Sequence, residues 1–171
     1  MSQREDTNDH VDALRAAWAR EWPELDTAPV AVVARVGRLA QHLDRGLERV
    51  FAQHGLTRES FDVLAALRRA GAPYRLTPTE LYRTLMRSSG AMTNRLRRLT
   101  DAGLVRRVPD PGDGRVLLVE LTPKGRRLFE RVAPLHLANE DTLLQPLTAG
   151  EREQLATLLR KALRSFEEPA G

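Results

Sequence analysis

A chain of 171 residues, 42% hydrophobic and 29% charged, is long enough for one domain with helical appendages and has too much apolar content to be disordered. It contains no cysteine, which excludes disulfides and thiolate redox sensing. The net charge is +4, and nine basic against four acidic residues between Arg87 and Arg126 concentrate it in one segment, leaving the rest near neutral.

The stretch Met1–His10 is polar with mixed charge and has no signal-peptide core, and no apolar run approaches the roughly 20 residues that span a bilayer. A cytoplasmic protein without membrane contact is expected. Val11, Leu14, Trp18 and Trp22 recur at spacings of three and four and predict a short amphipathic helix ended by Pro23. Residues 24–29 read as a linker. Val32, Val36, Leu39, Leu43, Leu47 and Val50 form the stripe of a longer helix over 30–53, capped by Gly55. A third helix begins at Thr57, carries Phe61, Leu64, Ala65 and Leu67, and stops at the Ala70–Pro73 break.

Thr77-Pro78-Thr79-Glu80 is a capping box with proline at the first helical position, opening a short helix anchored by Leu81 and Leu85. Ser88-Ser89-Gly90 turns the chain into a second helix running to about Ala102, with Met92, Leu96 and Leu99 as its buried edge and Gly103 as its cap. Two short helices joined by a small turn predict a helix-turn-helix. The β-prone runs 104–108 and 115–121 flank the turn signal Pro109–Gly114, so a hairpin follows directly. Thr122-Pro123 starts a helix with Leu128, Phe129, Val132 and Leu135 on one side. Thr148 and Glu151 cap a last helix carrying Leu155, Leu158, Leu159, Ala162, Leu163 and Phe166. The fold class is mainly α with a small β-hairpin wing.

The polar side of the second helix shows Thr93, Asn94, Arg97 and Arg98, with Ser88 and Ser89 at its start. A helix fits the major groove of B-DNA, where Arg pairs with guanine and Asn with adenine, while hydroxyls and the helix N-terminus suit phosphate oxygens. Arg115 at the hairpin tip is suited to a narrow minor groove, and Asp113 is expected to hold its guanidinium by a hydrogen bond. The opposing reading is an ordinary exposed helix face and a surface turn with a local ion pair. Helix-turn-helix, glycine cap, basic hairpin and concentrated charge together favour double-stranded DNA as partner.

The run LTPTELYRTLMRSSGAMTNRLRRLTDAGLVRRVPDPGDGRVLLVELTPKG, residues 76–125, with its Asp-x-Arg wing element and Leu-Thr-x-x-Gly, resembles the MarR family of multiple antibiotic resistance regulators. The resemblance covers roughly residues 30–166. It implies a winged-helix homodimer on palindromic operator DNA, its first and last helices interlocked, usually acting as a repressor, with Arg115 as wing-tip contact and Ser88, Ser89, Thr93, Asn94, Arg97 and Arg98 on the recognition helix. The implied division is an N-terminal extension (1–29), a helical dimerisation region (30–56 and 122–168) and a DNA-binding domain (57–121). Surplus apolar stripe on helices 30–53, 123–140 and 149–166 favours a dimer independently.

AWAREWPELDTAPVAVVARVGRL (17–39) and SFDVLAALRRAG (60–71) further resemble the urate-responsive subgroup, which implies Trp18, Asp62 and Arg95 as ligand-binding residues. The subgroup's arginine in the added helix falls at Trp22 here, and Arg20 is turned about 200° away along a helix. The expected effector is therefore a urate-like or other small, flat or anionic metabolite. An enzyme is not expected: no phosphate loop, zinc-protease motif or nucleophile elbow occurs, His10, His42, His54 and His136 are scattered, and no cofactor or metal is implied. The competing class is a winged-helix protein-interaction module without ligand control, which would present an apolar patch in place of arginines.

Overall fold

The computed structural model describes residues 8–85 and 89–167, with side chains described outside 89–91. Two compact units divide the chain, Met1–Gly46 and Leu47–Gly171.

The first unit holds α1 (His10–Glu21) and the first part of α2 (Ala28–Ala52). Asp9 caps α1, its carboxylate accepting the backbone N–H of Val11 and Asp12, while Asp12 reaches back to the Asp9 N–H. Arg35 of α2 donates to Asp9 at 2.7 Å and pairs with Asp12 at 2.8 Å, which ties the two helices. These hydrogen bonds hold both carboxyls below their ordinary range, the contact with Arg35 being the largest cause for each. The linker expected over 24–29 is shorter: α2 begins at Ala28, with Pro29 in the first turn, where a missing N–H costs nothing.

The second unit carries the rest of α2, then α3 (Arg58–Arg69), β1 (Arg75–Leu76), α4 (Pro78–Leu85), α5 (Ser89–Asp101), β2 (Val105–Pro109), β3 (Leu117–Leu121), α6 (Pro123–Leu143) and α7 (Ala149–Glu167). Its core centres on α3, where Phe61 and every residue from Val63 to Leu67 are buried. Leu81, Met92, Leu96, Leu99, Val105, Val119 and Val132 close around that helix. Phe61 lies between the Phe51 and Phe129 rings, with centroids 4.7 and 5.2 Å away.

Local chemistry sets the helix starts. Thr57, Thr77, Thr122 and Thr148 each accept the backbone N–H three residues on, and Glu80 and Glu151 complete the boxes at Thr77 and Thr148. Gly55 and Gly103 end their helices at φ of +67° and +68°, a region that costs other residues about 1–2 kcal/mol.

The hairpin strands run over 105–109 and 117–121, so Arg115 sits in the turn and outside the strand expected to begin there. A third strand, β1, pairs with the far edge of β3 and gives an antiparallel sheet of order β1-β3-β2. In that register Arg75, Glu120 and Arg106 stand directly opposite one another on three adjacent strands. Glu120 is the buried charge of the core among the described residues, and both arginines pair with it. Desolvation pushes its carboxyl up, but the hydrogen bonds from Arg106 and Arg75 outweigh it and the net shift is downward.

Gly125 explains the second half of the Leu-Thr-x-x-Gly signature. A Cβ there would lie 2.1 Å from the Leu104 carbonyl oxygen, so only glycine lets α6 approach the α5–β2 turn this closely.

Candidate nucleic-acid interface

The second helix of the motif, α5, is amphipathic in a simple way. Met92, Leu96 and Leu99 are buried, and Thr93, Asn94, Arg97 and Arg98 lie exposed on the other side. Ser89 opens the helix, its side chain outside the described part, and Ser88 lies outside the described residues altogether. Among the described residues Arg97, Arg98 and Arg115 take part in no ion pair, so three cations on α5 and the wing remain uncompensated.

The α4 helix is set against α5 by the Thr77–Glu80 box, where hydrogen bonds from Thr77 hold the Glu80 carboxyl below its ordinary range. A cavity of about 460 Å³ opens where α4, α5 and β2 meet, and brings Tyr82, Thr93 and Arg107 to one wall. Helix and wing strand are therefore neighbours at this point. Asn94, Arg97, Arg98 and Arg115 do not line that cavity.

The wing tip is built by two aspartates used on the backbone. Asp110 accepts the Gly112 N–H at 2.8 Å, and Asp113 accepts the Arg115 N–H at 3.0 Å while its carbonyl takes the Val116 N–H at 2.9 Å. This corrects the role expected for Asp113. Its short carboxylate closes on the N–H two residues ahead, an Asx turn, and does not hold the Arg115 guanidinium. The Arg115 side chain is exposed at the tip.

The three residues expected for ligand binding sit as follows. Trp18 is 42% exposed on α1, and Trp22 caps the same helix in the open. Asp62 is half-buried on α3 between buried Phe61 and Val63. Arg95 is half-buried on α5, and its Nη1 atom is buried without a hydrogen-bond partner. A structural ion pair between Asp62 and Arg95 is not among the salt bridges formed. Among the described residues no group of His, Asp or Glu is arranged to hold a metal ion, and no helix is long and apolar enough to cross a membrane.

Sequence reasoning missed the Arg75–Glu120–Arg106 row. The only signal was a glutamate in an otherwise apolar strand, Leu117–Leu121, between basic neighbours.

A MarR-family profile matches residues 54–116, the span from the end of α2 to the wing. The transcriptional regulator PecS of Dickeya dadantii is 39% identical over 149 residues, which cover 87% of this chain and 90% of that protein. Among solved structures, a mutant MarR from E. coli complexed with operator DNA superposes with a TM-score of 0.71 at 31% identity, over 85% of this chain and 97% of that one. BpsR of Bordetella bronchiseptica, described with regulation of its DNA binding by 6-hydroxynicotinic acid, gives 0.69 at 27% identity over 77% and 91%. With seven helices and a three-stranded antiparallel wing sheet among its described residues, the chain belongs to the MarR family of winged-helix transcriptional regulators.

Proposed function

We propose that this regulator acts in the cytoplasm, and not as an enzyme, by binding a palindromic operator as a homodimer, repressing transcription until a small flat or anionic ligand releases it. The observation that carries the reading is the division of α5 into a buried edge and an exposed row of Thr93, Asn94, Arg97 and Arg98, followed by a wing with Arg115 at its tip. In this reading residues 57–121 bind DNA, Ser88, Ser89 and the α5 row enter the major groove, and Asp113 shapes the tip that presents Arg115 to the minor groove. The E. coli relative bound to operator DNA supports the partner.

Dimerisation through 30–56 and 122–168, with 1–29 as an extension, is supported by apolar side chains left in water. Val32, Val33 and Val36 are exposed in the first unit. In the second, α7 has no buried residue, and Leu158, Leu163 and Phe166 are exposed, Phe166 at 85%. For the ligand, 6-hydroxynicotinic acid in BpsR supports the flat, anionic class. Trp18, Asp62 and Arg95 are each proposed as contacts, to be tested singly by substitution.

A salt titration with operator DNA tests the reading. Affinity falls steeply from about 50 to 200 mM salt, and Arg115→Ala weakens binding about ten-fold with a salt slope shallower by about one. Undiminished affinity in Arg115→Ala removes the wing, and affinity indifferent to salt removes DNA as the partner.

A further inference from the structure

The first two turns of α6 place Lys124, Arg127 and Arg131 at i, i+3 and i+7, with Leu128 beside them. This face borders a cleft of about 480 Å³ whose other walls are His54, after α2, and the α5–β2 turn with Leu104. No carboxylate lines the cleft, and among the described residues Arg127 and Arg131 form no ion pair. Arg126 on the same helix approaches Glu130 at 3.8 Å, so the helix compensates its other cation and not these. Like charges so close along a helix repel, and here nothing in the cleft offsets the repulsion. Lys124 is partly engaged: its Nζ donates to the Ala102 carbonyl at 2.8 Å, just past the C-terminus of α5.

We propose that this cleft binds a small carboxylate with an apolar or aromatic body, the carboxylate held by Arg127 and Arg131 and the body resting on Leu104 and Leu128. The size lies within the range of small-ligand sites, and guanidinium forks match a carboxylate with two parallel hydrogen bonds. Asp62, Arg95 and Arg107 do not line it, so it is separate from the contacts assigned above. A bound carboxylate competes with the Ala102 carbonyl for Lys124, which couples the cleft to α5. That consequence rests on the regulator reading; binding itself does not.

The test titrates the full chain with benzoate, followed by calorimetry and by the leucine methyl resonances. Saturable binding with shifts at Leu104 and Leu128 is expected, at least ten-fold weaker in Arg127→Ala/Arg131→Ala, with unchanged ligand-free thermal midpoint and operator affinity. The milder Arg127→Lys/Arg131→Lys variant keeps the charge and loses the forks, so its binding should fall between the two. No saturable binding, undiminished binding in the alanine variant, or loss on Arg107→Ala instead overturns the site. Inorganic phosphate binding as tightly as benzoate overturns the apolar body. A ligand-free alanine variant with weaker operator affinity and a shallower salt slope makes the cluster a DNA contact, overturning the inference while the regulator reading stands. Benzoate bound here by a protein that binds no duplex supports the cleft and sinks that reading.

Discussion

Replacing Glu120 by glutamine tests the wing sheet at its most buried charge. The carboxylate keeps 7% of its surface, while the Arg75 and Arg106 side chains keep 29% and 60%. Removing one partner of a fully buried pair costs about 3–5 kcal/mol, and an exposed pair contributes about 0.2–1 kcal/mol. With a buried anion and cations partly in water, the loss should be about 2 kcal/mol. For a chain of this size that lowers Tm by about 4–8 °C at neutral pH, as read by calorimetry.

The acid dependence sharpens the test. Glu120 has a folded value below its ordinary one of 4.5. Its contribution is therefore complete above the unfolded value and is lost as pH falls through the folded one. The wild-type protein and Glu120→Gln should differ by a constant margin at neutral and mildly acidic pH, and the margin should close below about pH 4. Equal midpoints at neutral pH, or a margin that persists unchanged in acid, would refute the argument.

Gly125→Ala forces a Cβ against the Leu104 carbonyl, and should cost about 3 kcal/mol or prevent folding, measured by urea denaturation. Thr77→Ala removes one side of the α4 capping box and should cost about 1 kcal/mol, with the loss read from the same transition. Phe166→Glu places a charge on an exposed apolar side chain of α7, and should shift the protein toward monomer in sedimentation experiments at micromolar concentration. An unchanged mass would exclude this end of α7 from the dimer.

Most helix boundaries were legible in the sequence because their determinants are local. Thr77 and Glu80, Thr148 and Glu151, and the glycines at 55 and 103 act within three or four residues, so their chemistry is visible without the fold. The α5 face was legible for a related reason, since Met92, Leu96 and Leu99 fix which side is buried. Strand β1 was not. Two residues carry no periodicity, and their pairing depends on a strand some forty-five positions later, as the Arg75–Glu120 register shows. The same distance hid Glu120, whose environment comes from β1 and β2. Asp113 was misread because an aspartate two residues before an arginine invites an ion pair, whereas the nearer backbone N–H takes the carboxylate.

The C-terminal end of α5 is tied to the start of α6 on several sides. Thr122 donates its N–H to the Leu104 carbonyl at 3.1 Å, and its hydroxyl lies 2.8 Å from the Gly103 carbonyl. The bare Cα of Gly125 lets the two backbones touch. A helix of 13 residues held at one end behaves as a lever with its fulcrum there. At about 1.5 Å per residue its free end lies about 20 Å away, so a tilt of about 10° moves that end by about 3 Å. That displacement is the length of a hydrogen bond, enough for a slight rotation at the fulcrum to take a base contact out of reach.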